Sequence, residues 1–295
     1  MRRLFLFCFV FTLIATSVDA QSFYSIRRER SLLVTFGSGT AAYLGEMTNP
    51  GSLGKVRYNI VFGGEYYLTN RISARAELTY FNISGSDETA NDDRVERNLS
   101  FTSNNFEISA TGAFNLFPNG RRFYQRPGFN LYGFAGIGVM YMNPKAEYQG
   151  EKVALQPLQT EGVKYSRIQP VIPYGLGARL KFGPFVNVMI EGGYRKTFTD
   201  YLDDVSIKRY PDPTTLSSDL SRALSDRRLE RDPNYPVAPN LGVRGNPDND
   251  DGYFLLNVKV QYYLPAGSGN GGKSKVTQRK RKAFYRYNKR GGLRR

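Results

Sequence analysis

The feature that most constrains this chain is strict alternation of apolar and polar residues in segment after segment, clearest in 253–264. One parity of that segment reads Leu256, Val258, Val260, Tyr262 and Leu264. The other parity includes Asn257, Lys259 and Gln261. A period of two places these sets on opposite faces of a β-strand. The chain is therefore all-β, and the charged face must point either into water or into a polar barrel interior.

The same pattern predicts eight strands, separated by connections that alternate between short and long. They span about 31–44, 56–68, 71–83, 99–116, 129–142, 170–182, 185–198 and 252–264. Thr69-Asn70 and Gly183-Pro184 form tight hairpin connections, whereas those after the third, fifth and seventh strands are long and polar. Short turns on the periplasmic side and long loops outside are typical of outer-membrane barrels. An even strand count then places both termini in the periplasm.

Export is predicted by the first twenty residues. Arg2 and Arg3 precede an apolar run, and Ala20 ends a small-residue cleavage site, so 1–20 is a signal peptide. No later stretch approaches ~18 consecutive apolar residues, so no spanning helix is expected. Export and alternation together predict an eight-stranded antiparallel transmembrane β-barrel over 21–264. A secreted soluble all-β domain is the alternative.

Charged residues on the interior parity are expected to form a lumen charge network. Its predicted members are Arg57, Glu65, Arg75, Glu77, Glu107, Arg179, Lys181, Glu191, Arg195 and Lys259. A slip of one residue would expose all of them to lipid, so the register is strongly specified. Eight strands enclose a space that side chains can fill, and glycines such as Gly37 and Gly63 leave room for them. We expect a plugged interior stabilised by ion pairs; a proton or ion path is the alternative.

Several kinds of chemistry are excluded or weakened by composition. The chain has no histidine, which removes Ser-His-Asp triads and histidine-ligated zinc, and it has no phosphate-binding GxxxxGK[ST] loop. Its one cysteine, Cys8, leaves with the signal peptide. We expect no enzymatic activity and no cofactor. Acidic clusters at Asp200, Asp203 and Asp204 and near Asp251 leave calcium binding open.

The basic charge is concentrated in the last 31 residues. Of the net charge of +15, the signal peptide accounts for +1 and residues 265–295 for +11, which leaves +3 for the barrel. The predicted partner-binding residues of this tail are Lys273, Lys275, Arg279, Lys280, Arg281, Lys282, Arg286, Lys289 and Arg290. Aromatic residues interleave with them, a pattern that can bind nucleic acid. A periplasmic location favours an acidic protein, anionic lipid headgroups or peptidoglycan instead, and we expect no nucleic acid partner.

The largest connection, 200–251, has helical spacing within it. Leu216, Leu220, Ala223 and Leu224 predict a short helix within 214–232, with Ser217 or Ser218 as its N-cap. A loop of this length is expected either to pack on the barrel rim or to dock a partner.

Three segments go beyond what barrel alternation requires. They are RNLSF at 97–101 with SNNFE at 103–107, YRKTFTDYLDDVS at 194–206, and RGNP at 244–247 leading to GYF at 252–254. In that order the chain resembles the PorG-like outer-membrane barrels of Bacteroidota, components of the type IX secretion system that also supports gliding motility. The resemblance implies an eight-stranded barrel that accompanies a periplasmic ring of a lipoprotein and its partner, PorK and PorN. The basic tail is a departure from that pattern.

The leading functional hypothesis is therefore a non-enzymatic outer-membrane component that assembles with or anchors such a ring. An OmpA-like structural or adhesion barrel, contacting the cell wall through its tail, is an alternative. A small-molecule channel is another, and it would require an open lumen.

Overall fold

The computed structural model describes residues 32–48, 55–89, 92–120, 123–235 and 242–264. The predicted signal peptide and basic tail lie outside these residues. Among the helices that it describes, none is long and apolar enough to cross a membrane.

Ten strands form one antiparallel sheet. They are β1 (Leu32–Leu44), β2 (Arg57–Tyr67), β3 (Ile72–Ser86), β4 (Ser100–Asn115), β5 (Phe129–Tyr141), β6 (Pro144–Tyr148), β7 (Glu151–Ala154), β8 (Ile168–Phe182), β9 (Val186–Thr197) and β10 (Gly252–Tyr263). The eight long strands match the eight predicted ones, and the largest differences are at the ends of β3, which continues to Ser86, and of β8, which begins at Ile168.

The eight long strands close into a barrel. The pairing runs β3-β2-β1-β10-β9-β8-β5-β4, and β3 also pairs with β4, which completes the ring. The first and last strands therefore meet, for example at Phe36 opposite Val260. Closure pairs the backbone of every long strand on both sides, as a chain that crosses lipid on strands requires. The predicted eight-stranded antiparallel barrel is confirmed.

The two ends of the barrel differ. At one end, here called the short-connection end, residues 68–71 and 183–185 join neighbouring strands. At the opposite long-loop end, residues 45–56, 87–99, 142–167 and 198–251 form the connections. Residues 116–128 form a longer connection at the short-connection end, and Arg126 of this connection covers the lumen there.

The outer wall carries the apolar parity of each strand. Phe62, Ile108, Ile137 and Leu176 each expose more than half of their surface, far more than large apolar residues do in a soluble core. The residues that line the inside are mostly polar. This arrangement, apolar outside and polar inside, is that of an outer-membrane barrel and is the inverse of a soluble sandwich.

Two features of the loops were not fully predicted. The hairpin β6–β7 extends the wall beyond the barrel, with Lys145 opposite Thr102 of β4. The segment 214–232 holds two short helices, α2 (Asp219–Ser225) and α3 (Arg228–Arg231), where the sequence suggested one; a further short helix, α1, spans Asp92–Val95. Ser218 is the N-cap of α2 and accepts a hydrogen bond from Ser221 N.

Candidate functional site: the filled lumen and the loop cap

The middle of the lumen is occupied by four charged side chains. Lys259 Nζ lies 2.8 Å from Glu77 Oε1 and 2.6 Å from Glu191 Oε1. Arg75 joins the same two carboxylates, with Nη2 2.6 Å from Glu77 Oε1 and Nη1 2.8 Å from Glu191 Oε2. Two cations and two anions, each buried, form a closed and neutral square across the barrel.

Further ion pairs lie on either side of this square. Toward the short-connection end, Arg179 Nη2 donates to both oxygens of Glu65 at 2.9 Å. Toward the long-loop end, Arg195 Nε lies 3.6 Å from Glu107 Oε2, which also accepts a 2.7 Å hydrogen bond from Tyr253 Oη. These layers fill the interior with charges of opposite sign, and the mutual attraction of each pair offsets part of the desolvation that burial imposes.

Eight of the ten residues predicted for the lumen charge network are brought together. The prediction is wrong for Arg57 and Lys181, which are both exposed. Arg57 Nε donates to Ser84 Oγ at the long-loop end, and Lys181 Nζ donates to Tyr124 O at the short-connection end. Both residues lie at strand ends, where the barrel wall stops and strand parity no longer determines what a side chain contacts.

Glycines open the space that these side chains need. A Cβ on Gly37 would lie 2.6 Å from Lys259 Cγ, and one on Gly63 would lie 2.8 Å from Glu77 Cγ. Real Cβ atoms do not approach so closely. The central ion pairs therefore depend on glycine at these two interior positions.

Arg126 plugs the short-connection end. Its guanidinium donates to Asn187 Oδ1 at 2.7 Å and to the carbonyls of Pro184 and Val186 at 2.9 Å each. It also lies 4.8 Å from the centroid of the Tyr263 ring. The 116–128 connection is longer than a hairpin turn, and it places Arg126 where it caps the lumen.

At the long-loop end the connections fold into a compact cap, which we define as residues 45–48, 87–89, 92–99, 155–166, 198–235 and 242–251. Its first cross-link is Arg97, whose Nε and Nη2 each lie 2.7 Å from one oxygen of Asp87. The same carboxylate accepts from Leu99 N at 3.0 Å. Arg97 Nη1 also donates to the carbonyl of Arg244.

A second arginine continues the chain of contacts. Arg244 pairs with Glu161 and donates to the carbonyls of Asp204 and Ser225, at 3.2 Å each. Glu161 in turn accepts from the backbone of Ser206 at 3.0 Å. The three unusual sequence segments, at 97–107, 194–206 and 244–254, therefore meet in the cap. Contacts in the cap explain Arg97, Arg244 and the 198–206 run, whereas Glu107, Arg195 and Tyr253 of the same segments belong to the lumen.

Carboxylates in the cap also face one another. Tyr43 Oη lies 2.7 Å from both Asp203 Oδ2 and Asp251 Oδ1. A phenol has one hydrogen to donate, so the second contact requires a protonated carboxyl that donates to Tyr43. Burial, followed by other effects that include repulsion from Glu46, raises the pKa of Asp203 to about 8. Burial and the nearby Asp203 raise the pKa of Asp251 as well.

The neighbouring acids are shifted in the same direction. Burial raises the pKa of Asp200 to about 8 and that of Asp204 to about 6. The rise in the pKa of Asp204 is partly offset by the charge of Arg244 and by hydrogen bonds from the hydroxyls of Thr160 and Tyr165. The Tyr165 hydroxyl lies 2.6 Å from the carboxylate. In the part of the chain that the structure describes, no group of three or more His, Cys, Asp or Glu side chains is arranged to hold a metal ion.

Solved outer-membrane barrels of low sequence identity are similar in fold to this chain. No family model matches the chain, and no curated protein matches it. Among solved structures, Neisserial surface protein A matches with a TM-score of 0.42 at 8% identity, over 79% of this chain and 97% of its own. OprG from Pseudomonas aeruginosa matches with a TM-score of 0.39 at 7% identity, over 80% and 98%. The outer membrane enzyme PagL matches with a TM-score of 0.32 at 11% identity, over 78% and 99%. Likenesses this distant transfer no function to this chain.

Proposed function

We propose that this protein is a non-enzymatic outer-membrane scaffold that acts through its two ends and not through its lumen. The observation that carries the proposal is the interior itself. Lys259, Glu191 and Arg75 are buried and bonded to one another across the barrel, so the space that a channel would need is occupied. The absence of histidine from the whole chain argues against the hydrolytic chemistry that barrel enzymes usually perform.

The finer proposal is a role in type IX protein secretion, with assembly or anchoring of a periplasmic ring like that of PorK and PorN. It is supported by the resemblance of the 97–107, 194–206 and 244–254 segments. Those segments form contacts that cross-link the cap, through Arg97, Arg244 and Glu161. A secretion-machine barrel would use this cap outside and its basic tail in the periplasm. The orientation follows the long loops, which in such barrels face outward.

The tail is the proposed contact with the ring. Residues 265–295 carry eleven cationic side chains and no acidic one. Such a segment speeds encounter with an acidic surface and binds it in a salt-sensitive way. Deletion of 265–295 should therefore reduce ring association while the barrel, which closes through β10 and β1 before the tail begins, still assembles.

The test is affinity purification of the tagged protein from gently solubilised outer membranes, with and without residues 265–295, followed by mass spectrometry. Recovery of ring lipoproteins by the full chain, and their loss with the shortened chain, supports the proposal. Equal recovery by both chains contradicts the role of the tail. Recovery of the barrel alone, from membranes in which the ring stays intact, contradicts the secretion role and favours an OmpA-like barrel. Binding of the tail to peptidoglycan would then test that alternative.

A further inference from the structure

A basic groove lies on the outer wall of the barrel, just beyond its membrane-facing belt. It has a volume of about 210 Å³ and is lined by four cations: Lys55, Arg57, Lys145 and Lys152. Glu88 and Glu147 are the acids along it, so its net charge is +2. The groove is formed where the extended ends of β3 and β4 meet the β6–β7 hairpin.

The cations of this groove lack the compensation that the lumen has. Every cation of the lumen charge network that lies inside the barrel contacts a carboxylate. Among the residues that the structure describes, no salt bridge engages Lys55, Lys145 or Lys152. Arg57 uses only Nε, in a 3.0 Å hydrogen bond to Ser84 Oγ. The groove thus keeps a net positive charge after Glu88 and Glu147 are counted, and its three lysines are not held in salt bridges of the described residues.

The strand register gives the height of the groove above the membrane belt. On the outward face of β3 and β4, the paired residues are Tyr80 with Phe106, then Asn82 with Asn104, then Ser84 with Thr102. The first pair belongs to an aromatic row in which the ring centroids of Tyr80 and Phe106 are 5.0 Å apart. Aromatic rows of this kind mark the membrane interface.

The hydroxyl pair lies four residues further along the strands than the aromatic pair. At ~3.4 Å per residue this is about 14 Å along the strand, or about 10 Å vertically once a tilt near 40° is included. That height is within the headgroup layer, and Lys145 and Lys152 line the same groove as the hydroxyl pair. Apolar side chains such as Ile108 continue the same wall into the lipid.

The chemistry of the groove is that of a phosphate site. Lysine ammonium groups, an arginine and several hydroxyls supply donors and charge but few acceptors. A soluble anion would gain only these contacts, whereas a lipid would also place its acyl chains against the apolar wall below. We propose that the groove binds the phosphate groups of a glycolipid in the outer leaflet. This inference rests on the proposed orientation but not on the secretion role.

The test is a lipid titration of the purified full-length barrel, followed by native mass spectrometry, with diphosphorylated lipid A as the probe. We compare the wild type with a variant carrying Lys55→Ala, Lys145→Ala and Lys152→Ala. The matched control carries Lys164→Ala, Lys196→Ala and Lys208→Ala, which removes the same charge from exposed positions outside the groove. We expect affinity to fall by about tenfold or more in the groove variant and to change by less than about twofold in the control.

Two arms with the wild-type protein identify the source of the phosphate. Dephosphorylated lipid A should bind the wild type as weakly as diphosphorylated lipid A binds the groove variant. Millimolar inorganic phosphate should not displace diphosphorylated lipid A from the wild type. Equal losses in the two triple variants would overturn the proposal, as would full binding of the dephosphorylated lipid. Complete displacement by inorganic phosphate would show that the groove takes a free anion and not a lipid.

Discussion

The lumen and the cap both bury carboxylates, yet they handle them in opposite ways. In the lumen, four glutamates face four cations, and each acid has a basic partner within ion-pair distance. In the cap, Asp200, Asp203 and Asp251 lie together, and Tyr43 bridges two of them. The side chains of the lumen therefore remain ionised while their charges sum to zero, whereas some of the cap aspartates must stay protonated. The cap is therefore expected to respond to pH through its aspartates, whereas the ion pairs of the lumen are not.

The largest effect is expected from breaking the balance of the lumen. Lys259→Met removes the cation that bridges Glu77 and Glu191 and leaves buried negative charge. The free energy of unfolding should fall by about 3–5 kcal/mol, because an uncompensated buried charge is costly. Urea unfolding of the barrel in lipid vesicles measures this. Lys196→Ala, on the exposed wall, is the control and should change stability little; an equal loss in both variants would contradict the account.

Loss of a cap cross-link should cost less and should act locally. Arg97→Gln removes the charge opposite Asp87 but keeps an amide donor, so we expect a cost of about 1.5–3 kcal/mol, the worth of one hydrogen bond to a charged group. We expect faster hydrogen exchange at Leu99 and Arg244, whose amides donate to Asp87 and to the Lys208 carbonyl, with unchanged exchange in β9 and β10. Arg222→Gln is the matched control, since its partner Asp219 is exposed. Uniform destabilisation of the barrel by Arg97→Gln would refute a separate cap.

The close approach of Gly37 to Lys259 gives a third test, now of packing in the lumen. Gly37→Ala should lower the unfolding free energy by about 1–3 kcal/mol, because the new Cβ crowds the lysine stem and the Val258 carbonyl, 2.8 Å away. Gly112→Ala, where a Cβ meets nothing within 4 Å, should be close to neutral. A neutral Gly37 variant would mean that the lumen has room to rearrange.

The smallest effect is the pH dependence of the cap. The ordinary pKa of an aspartic acid is 3.8, and that of Asp203 in the fold is about 8. Between these values the folded cap holds more protons than the unfolded chain, so its stability is greatest at acidic pH and falls as pH rises toward 8. Hydrogen exchange at Leu202 and Val205, corrected for chemical rate, should show declining protection over this range.

Asp203→Asn supplies the control for the titration, because it keeps the shape without the charge and should flatten the pH profile. Protection at Met189 within the lumen should not follow pH in the same way. Protection at Val205 that increases with pH would contradict the shared protons of the cap.

The eight strands and most of the lumen could be predicted because a period of two is a local signal. The residue parity of β3, for example, places Arg75 and Glu77 inside without any knowledge of their partners. The predictions are wrong or incomplete where the position of a side chain depends on contacts beyond its own strand. Arg57 and Lys181 lie at strand ends, and the β6–β7 hairpin contains too few residues for alternation to reveal it.

The cap could be predicted only in part. The segments at 97–107, 194–206 and 244–254 stand out in sequence, but nothing local indicates that Arg97 meets Arg244 or that Tyr43 meets Asp251. Those contacts depend on how long loops fold over a finished barrel. No local signal in the sequence identified Arg126 either, because its partners lie about 60 residues away in sequence.

A filled lumen leaves the protein to act through its surfaces. Single-channel recording of the purified full-length barrel in planar bilayers is the most direct test. We expect no stable open state for the wild type at any physiological voltage. A long-lived conductance step in the wild type would contradict this expectation and would make the protein a channel.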